Sequence, residues 1–469
     1  MKKFTLFNQQ LIALLAIFSL FIVSCNEDEV PVIDNTSSGA IRRTELFTAN
    51  LALKWNELFL EVERFSEGYR PPVSARASAY VNLAAYEAAY PGMQDKYRSF
   101  GDYYDGLELP EFAFLGDIHY PTAINAAYET SLRHFFPTAP ATQLFKIVEL
   151  ANEFNEEYKA ELPIEVFVRS RKFGREVADA IFEWSSTDVE GHNAYRRNNN
   201  AEYIPPAGAG KWQPTFPDFS PALLPRWGRV RTFAADARDV VAEPLEYSDN
   251  PDSEIYQQAK RVELLVNEVK ANRSTEDRWI ADFWSDDCPI LTFTPAGRWV
   301  AITNQVIVKE RPNLARAIET YTKVGMALCD AGIRCWHEKY RFNYERPIDY
   351  IRRVMGDQNW NTVMCPDGSG NYFTPNFPAY PSGHATFGAA TASVLASLYG
   401  ESYNMIDRCH EGRTEFVSAP RAFDSFFAMA EENAYSRIPL GVHFEMDAVE
   451  GLNLGYGIGD KVNALPWRK

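Results

Sequence analysis

Apolar residues recur along this chain at intervals of three and four, the period of a helix face. In 253–272, Ile255, Ala259, Val262, Val266 and Val269 fall on one such face, and Ser253 fits the N-cap position. Phe173, Val177, Ile181 and Trp184 repeat the pattern in 164–184. Leu314, Ile318, Tyr321, Val324 and Leu328 predict a long helix over 312–343. Ala75 to Tyr90 and Ala385 to Tyr399 are rich in alanine, the strongest helix former, and add two more. Strand-like alternation is scarce; Ile290-Leu291-Thr292-Phe293 is the best short candidate. Residues 186–252 hold eight of the 28 prolines together with several Trp, Tyr and Phe. Such a stretch cannot be regular helix, so it is expected as a long irregular segment covering a helical core. The pattern predicts an all-α protein with no internal repeat.

Composition adds limits. The 469 residues carry 47 Lys plus Arg against 63 Asp plus Glu, a formal net charge of −16. This balance excludes a surface built for nucleic acid or anionic lipid, which needs clustered positive charge. Any anion pocket must be assembled locally against that field.

At the N-terminus, Lys2 and Lys3 precede an apolar stretch, Leu11 to Val23, of signal-peptide length. Ile22-Val23-Ser24-Cys25 resembles the lipobox of bacterial lipoproteins, in which the cysteine is lipidated. The acidic run Asn26-Glu27-Asp28-Glu29 resembles those that direct lipoproteins to the outer membrane. The expected organisation is a signal peptide (1–24), a tether (25–44) and an exported, lipid-anchored body without further spans. Cys288, Cys329, Cys335, Cys365 and Cys409 match no zinc template and are expected as buried thiols, with a Cys365–Cys409 bridge possible in an exported protein.

Three short segments carry candidate chemistry. In Lys339-Tyr-Arg-Phe-Asn-Tyr-Glu-Arg346-Pro347 the two cations are seven apart, two helical turns, which predicts projection from nearly one face. Pro381-Ser382-Gly383-His384 leads into the second alanine-rich helix, and the free N–H groups at such a start, with the Ser382 hydroxyl, suit an oxyanion. In Ser436-Arg437-Ile-Pro-Leu-Gly-Val-His443-Phe-Glu-Met-Asp447, the carboxylate four residues after His443 can hold the imidazole and fix its tautomer. Each segment alone is equally consistent with a solvated or merely packed surface.

In this order the three resemble the tripartite signature of the type 2 phosphatidic acid phosphatase and vanadium haloperoxidase superfamily, with every signature position present. The resemblance implies a site for vanadate, or for phosphate in the same place. His443 binds vanadium, and Lys339, Arg346, Ser382, Gly383 and Arg437 hold the oxygens. His384 takes a proton from hydrogen peroxide, and Lys339 polarises the peroxide for attack by halide, giving hypohalous acid. Long members without spans resemble the haloperoxidases, as do Trp336, three residues before Lys339, and Phe377, seven before His384, beside the expected halide pocket. That branch implies two four-helix-bundle-like halves, here 45–300 with the irregular segment 186–252, and 301–469 with the site. The alternative is an acid phosphatase in which His443 forms a phosphohistidine and His384 protonates the leaving alcohol. The remaining histidines, His119, His134, His192, His337 and His410, match no signature position and are assigned structural roles.

Overall fold

The computed structural model describes residues 43–112, 116–288, 291–366, 372–415 and 417–469. The signal peptide, Cys25 and the tether up to residue 42 lie outside the described residues. Twelve helices of nine residues or more order the rest. They are α1 (Asn50–Phe65), α2 (Pro71–Ala89), α3 (Tyr120–Phe135), α4 (Ala141–Glu161), α5 (Ile164–Ser186), α6 (Glu254–Lys270), α7 (Thr275–Phe283), α8 (Pro295–Glu310), α9 (Leu314–Phe342), α10 (Gly383–Tyr399), α11 (Phe426–Ser436) and α12 (Glu445–Asn463).

The helix periodicity is realised closely. The five apolar residues of 253–272 are the buried face of α6, and Ser253 Oγ accepts from Tyr256 N. The α9 helix runs 29 residues and is buried over nearly its whole length, because it packs against both α2 and α10. The strand expectation fails. Residues 291–294 form a turn leading into α8, with Thr294 as N-cap and Pro295 in the first turn, while Ile290 lies outside the described residues. Among the described residues, the only named strands form two small antiparallel pairs, Asn199–Asn200 with Ala222–Leu223 and Met405–Asp407 with Arg421–Phe423.

The irregular segment is fastened onto α9 by buried polar contacts. The Trp336 indole N–H (3.3 Å) and the Tyr340 hydroxyl (2.6 Å) both donate to Leu223 O. Three consecutive N–H groups, of Phe233, Ala234 and Ala235, converge on the Asp330 carboxylate. Such pairing lets proline-rich backbone lie against a core without stranding its polar groups.

One helix pair positions the chemistry. α10 and α12 run parallel, and Gly451, Gly455 and Gly459 form a stripe along their contact. A Cβ on Gly455 would stand 2.4 Å from Thr386 O, and one on Gly459 2.5 Å from Ala390 O. Only glycine allows this approach, and it brings the two N-termini side by side, where Ser382 N donates to Asp447 O at 2.8 Å. No helix among the described residues is long and apolar enough to cross a membrane.

Cysteine usage differs from the expectation. Cys288 and Cys365, 77 residues apart, form a disulfide, whereas Cys329, Cys335 and Cys409 are free. The pairing joins two irregular loops whose Cα atoms stand 5.5 Å apart, a proximity that sequence spacing does not encode.

Candidate active site

The site forms where the end of α9 meets the adjacent starts of α10 and α12. Lys339 lies in the last turn of α9, and its ammonium donates to three backbone carbonyls: Pro378 (3.0 Å), Ala379 (2.8 Å) and Pro381 (2.5 Å). Burial pulls its pKa down from the ordinary lysine value, against which three acceptors hold the ammonium charged. The helix stops at Phe342, because Asn343 adopts the left-handed conformation (φ 52°). Arg346 is therefore not on the same helix face as Lys339, contrary to the two-turn spacing argument. It caps a short helix (Pro347–Tyr350) and reaches the site because the chain turns.

Arg346 is fully buried and donates through Nε to Phe377 O (2.9 Å) and through Nη1 to Val442 O (2.8 Å). Burial lowers its pKa to about 10, so it stays cationic at neutral pH. Nη1 also stands 3.2 Å from His443 Nε2. A guanidinium only donates, so Nε2 is the accepting nitrogen and the proton sits on Nδ1. From there it is given to Asp447 Oδ2 at 2.8 Å. The same oxygen accepts from Phe444 N at 3.0 Å. The expected four-residue pairing is thus present, although His443 itself precedes α12, which begins at Glu445. Burial, then Arg346, Lys339 and Arg437, hold His443 well below its ordinary pKa, so the imidazole is neutral with its lone pair on Nε2, facing Arg346 Nη1. Burial pushes the Asp447 carboxyl up, and Lys339 and the Phe444 N–H draw it back. Both neighbours of Oδ2 are donors, the pattern of a carboxylate.

Ser382 is the N-cap of α10, its Oγ accepting from Ala385 N, and Gly383 and His384 open the helix. Burial, then Arg437, lower His384 to about 4, so it too is neutral near pH 7 and able to take a proton. Its Nε2 stands 3.6 Å from Asp287 Oδ2. That oxygen also accepts from Arg437 Nη2 at 2.6 Å. Burial alone would raise Asp287, but Arg437 and His384 outweigh it and hold the carboxyl below its usual range. The Trp336 and Phe377 rings meet at 4.9 Å, with Lys339 Nζ 5.1 Å and the Arg346 guanidinium 4.9 Å from the Phe377 centroid. A cavity of about 610 Å³ reaches both Phe377 and Asp287.

All the signature positions therefore converge. Among the described residues, Arg346 Nη2, Arg437 Nε and Nη1, and His384 Nε2 are buried atoms with no hydrogen-bond partner. Unpaired buried donors are costly, and the arginine N–H groups among these atoms are satisfied by a tetrahedral oxyanion. The macrodipoles of α10 and α12 favour the same charge at their adjacent N-termini.

Residues 319–466 match the family model described as the VCPO second helical-bundle domain. The vanadium chloroperoxidase of Curvularia inaequalis is 26% identical over 497 aligned residues, covering 87% of this chain and 80% of that protein. The structure described as the first bacterial vanadium-dependent iodoperoxidase superposes with a TM-score of 0.78 at 28% identity, over 90% of this chain and 97% of that one. These matches support a vanadium-dependent haloperoxidase. A holo-type bacterial vanadium-dependent chloroperoxidase shares the fold at a TM-score of 0.61 and 14% identity, over 86% of this chain and 93% of that one. Similarity to vanadium-dependent haloperoxidases implies a vanadate cofactor, and the donor set fits one: the unpaired Arg346 Nη2 and Arg437 Nε and Nη1, a lysine charge, the Ser382–Gly383 helix start and a neutral imidazole nitrogen.

One residue of this site, and the contacts of another, escaped sequence reasoning. Asp287 lies 150 residues before Arg437 in an irregular stretch, so no motif or period marks it. Lys339 was assigned to oxygen binding, yet its three hydrogens are engaged by carbonyls of the 378–381 loop. It supplies charge to the site and ties down the loop that carries Ser382; to donate to an oxyanion it must release one carbonyl.

Proposed function

We propose that this protein oxidises halide with hydrogen peroxide to hypohalous acid at a vanadate held by His443, Arg346, Arg437, Ser382 and Gly383, with Lys339 supplying positive charge beside it. The observation that carries this reading is the set of unpaired donors on Arg346 and Arg437 around a histidine whose Nε2 is fixed as the lone-pair nitrogen. The relatives named above as chloroperoxidase and iodoperoxidase support it. When bound, vanadate supplies a Lewis-acid centre that activates peroxide without changing oxidation state.

The chain's own groups do the rest. Arg346 Nη2 and Arg437 Nε and Nη1 bring unpaired donors to the anion's oxygens, and Lys339 adds charge in a buried site where charge is felt strongly. Asp447 holds the His443 ring in the tautomer that puts the lone pair on Nε2. Neutral His384 takes the first proton of hydrogen peroxide at Nε2, and Asp287 beside it stabilises the imidazolium that forms. Trp336 and Phe377 wall the site with apolar surface, which suits a weakly hydrated halide. The phosphohistidine alternative uses the same residues, but no observation favours it.

We also propose that Cys25 carries a lipid anchor that holds the exported protein at the bacterial outer membrane, on the strength of the lipobox-like Ile22–Cys25 and the acidic run behind it. Metabolic labelling with an alkyne fatty acid should mark the protein and not Cys25→Ser. For the catalytic reading, His443→Ala should lose vanadate binding and vanadate-dependent iodide oxidation together; turnover that survives the substitution refutes the assignment.

A further inference from the structure

Arg437 is the cation on which the site's remote contacts meet. Its Nη2 donates to Asp287 Oδ2 at 2.6 Å and approaches Met364 Sδ at 3.5 Å, while Nε and Nη1 stay unpaired. Asp287 and Met364 are 77 residues apart, on two loops with little regular structure around them. Each is followed directly by one half of the disulfide, Asp287 by Cys288 and Met364 by Cys365. Other ties come from outside this junction. Asp286 pairs with His410 (3.0 Å) and Arg298 (3.5 Å), Phe373 N donates to Met364 O, and Val363 N donates to Leu440 O. Among the described residues, only the disulfide joins the two loops at the residues flanking the Arg437 contacts. Cys288 also lines the cavity that reaches Asp287 and Phe377.

We propose that the Cys288–Cys365 disulfide is a positioning element of the anion site: it clamps Asp287 and Met364 onto Nη2 of the Arg437 guanidinium, so that the unpaired Nε and Nη1 donors are presented to the bound oxyanion. A guanidinium on a long side chain loses affinity when it must be ordered at the moment of binding, and fixing it beforehand removes that cost. The charges of the site do not change when the disulfide is removed, so its effect is on orientation alone. The proposal rests on the reading of the site as an oxyanion site, and its readout is anion affinity in vanadate-free protein, independent of halide turnover.

The test is a mutant cycle read by titration calorimetry with orthovanadate and with inorganic phosphate. Wild type, C288S/C365S, R437A and the triple variant are compared, with far-UV circular dichroism to verify folding. C288S/C365S should bind each anion about two- to tenfold more weakly, the range for freeing one long side chain. In the R437A background, removing the disulfide should change nothing further. Wild-type protein reduced with a phosphine and alkylated after folding should show the same loss, which guards against a variant that fails to fold. Unchanged affinity in folded, disulfide-free protein overturns the proposal, as does a loss that persists without Arg437. Wild type that binds neither anion overturns this proposal and the oxyanion reading together.

Discussion

Removing the Asp447 carboxylate isolates the device that makes His443 a ligand. Asp447 Oδ2 accepts from His443 Nδ1 at 2.8 Å and from Phe444 N at 3.0 Å, and it is fully buried. Asp447→Ala loses a charge-assisted hydrogen bond worth about 1.5–3 kcal/mol and leaves Nδ1 buried without an acceptor. The ring is then free to place its proton on either nitrogen. Loss of a partner that orients a ligand costs about 10- to 100-fold in affinity, which agrees with that energy. Asp447→Asn is milder, because its carbonyl oxygen can take the place of Oδ2 and accept both hydrogens, although the charge is lost and the amide NH2 replaces the unpartnered Oδ1. A neutral acceptor is about half as strong, so affinity should fall about fivefold. Vanadate titration of the metal-free protein at pH 7 in phosphate-free buffer should therefore rank wild type over Asp447→Asn over Asp447→Ala. Urea unfolding run alongside separates binding from the cap contact to Phe444. Folded Asp447→Ala that binds vanadate as tightly as wild type would falsify the tautomer argument.

Three further outcomes follow from the same geometry. Gly455→Ala places a methyl 2.4 Å from Thr386 O, so α12 must move away from α10. Thermal unfolding should show a loss of about 1–3 kcal/mol, and vanadate affinity should fall with it because the two N-termini separate. Arg298 is fully buried between Asp407 (2.7 Å) and Asp286 (3.5 Å), and Arg298→Ala should cost about 3–5 kcal/mol in unfolding free energy, since two carboxylates lose their cation. His384, lowered to about 4 by burial and then Arg437, resists protonation in the fold and accepts it readily when unfolded. The stability it preserves is complete above about pH 6.5 and is lost as pH falls toward 4, by about 3 kcal/mol in vanadate-free protein. His384→Gln should flatten the unfolding free energy across that window, and an unaltered pH slope would contradict the assignment.

The fold and the site were legible in the sequence to different depths. Helices such as α6 could be read because burial on one face imposes a period of 3.6, and that period survives in Ile255, Ala259, Val262, Val266 and Val269. The three motif segments could be read because short-range chemistry, a capped helix start or a His–Asp pair, fits within a few residues. Contacts between distant irregular loops have no such period. Asp287 meets Arg437 across 150 residues, and Cys288 meets Cys365 across 77, solely because folding places their loops together. The spacing of Lys339 and Arg346 suggested a shared helix face, but a left-handed Asn343 ends the helix between them and the two cations converge by a turn. Ile290 to Phe293 illustrates the opposite error: a short apolar run read as strand is the approach to a capped helix.

The most direct test of the account is a paired assay on one preparation, stripped of bound anion and then loaded with orthovanadate. Peroxide-dependent oxidation of iodide and bromide should appear only with vanadate, saturate as the site fills, and be displaced by excess phosphate. Absence of halide oxidation with vanadate bound, together with rapid phosphate ester hydrolysis in its absence, would contradict the account.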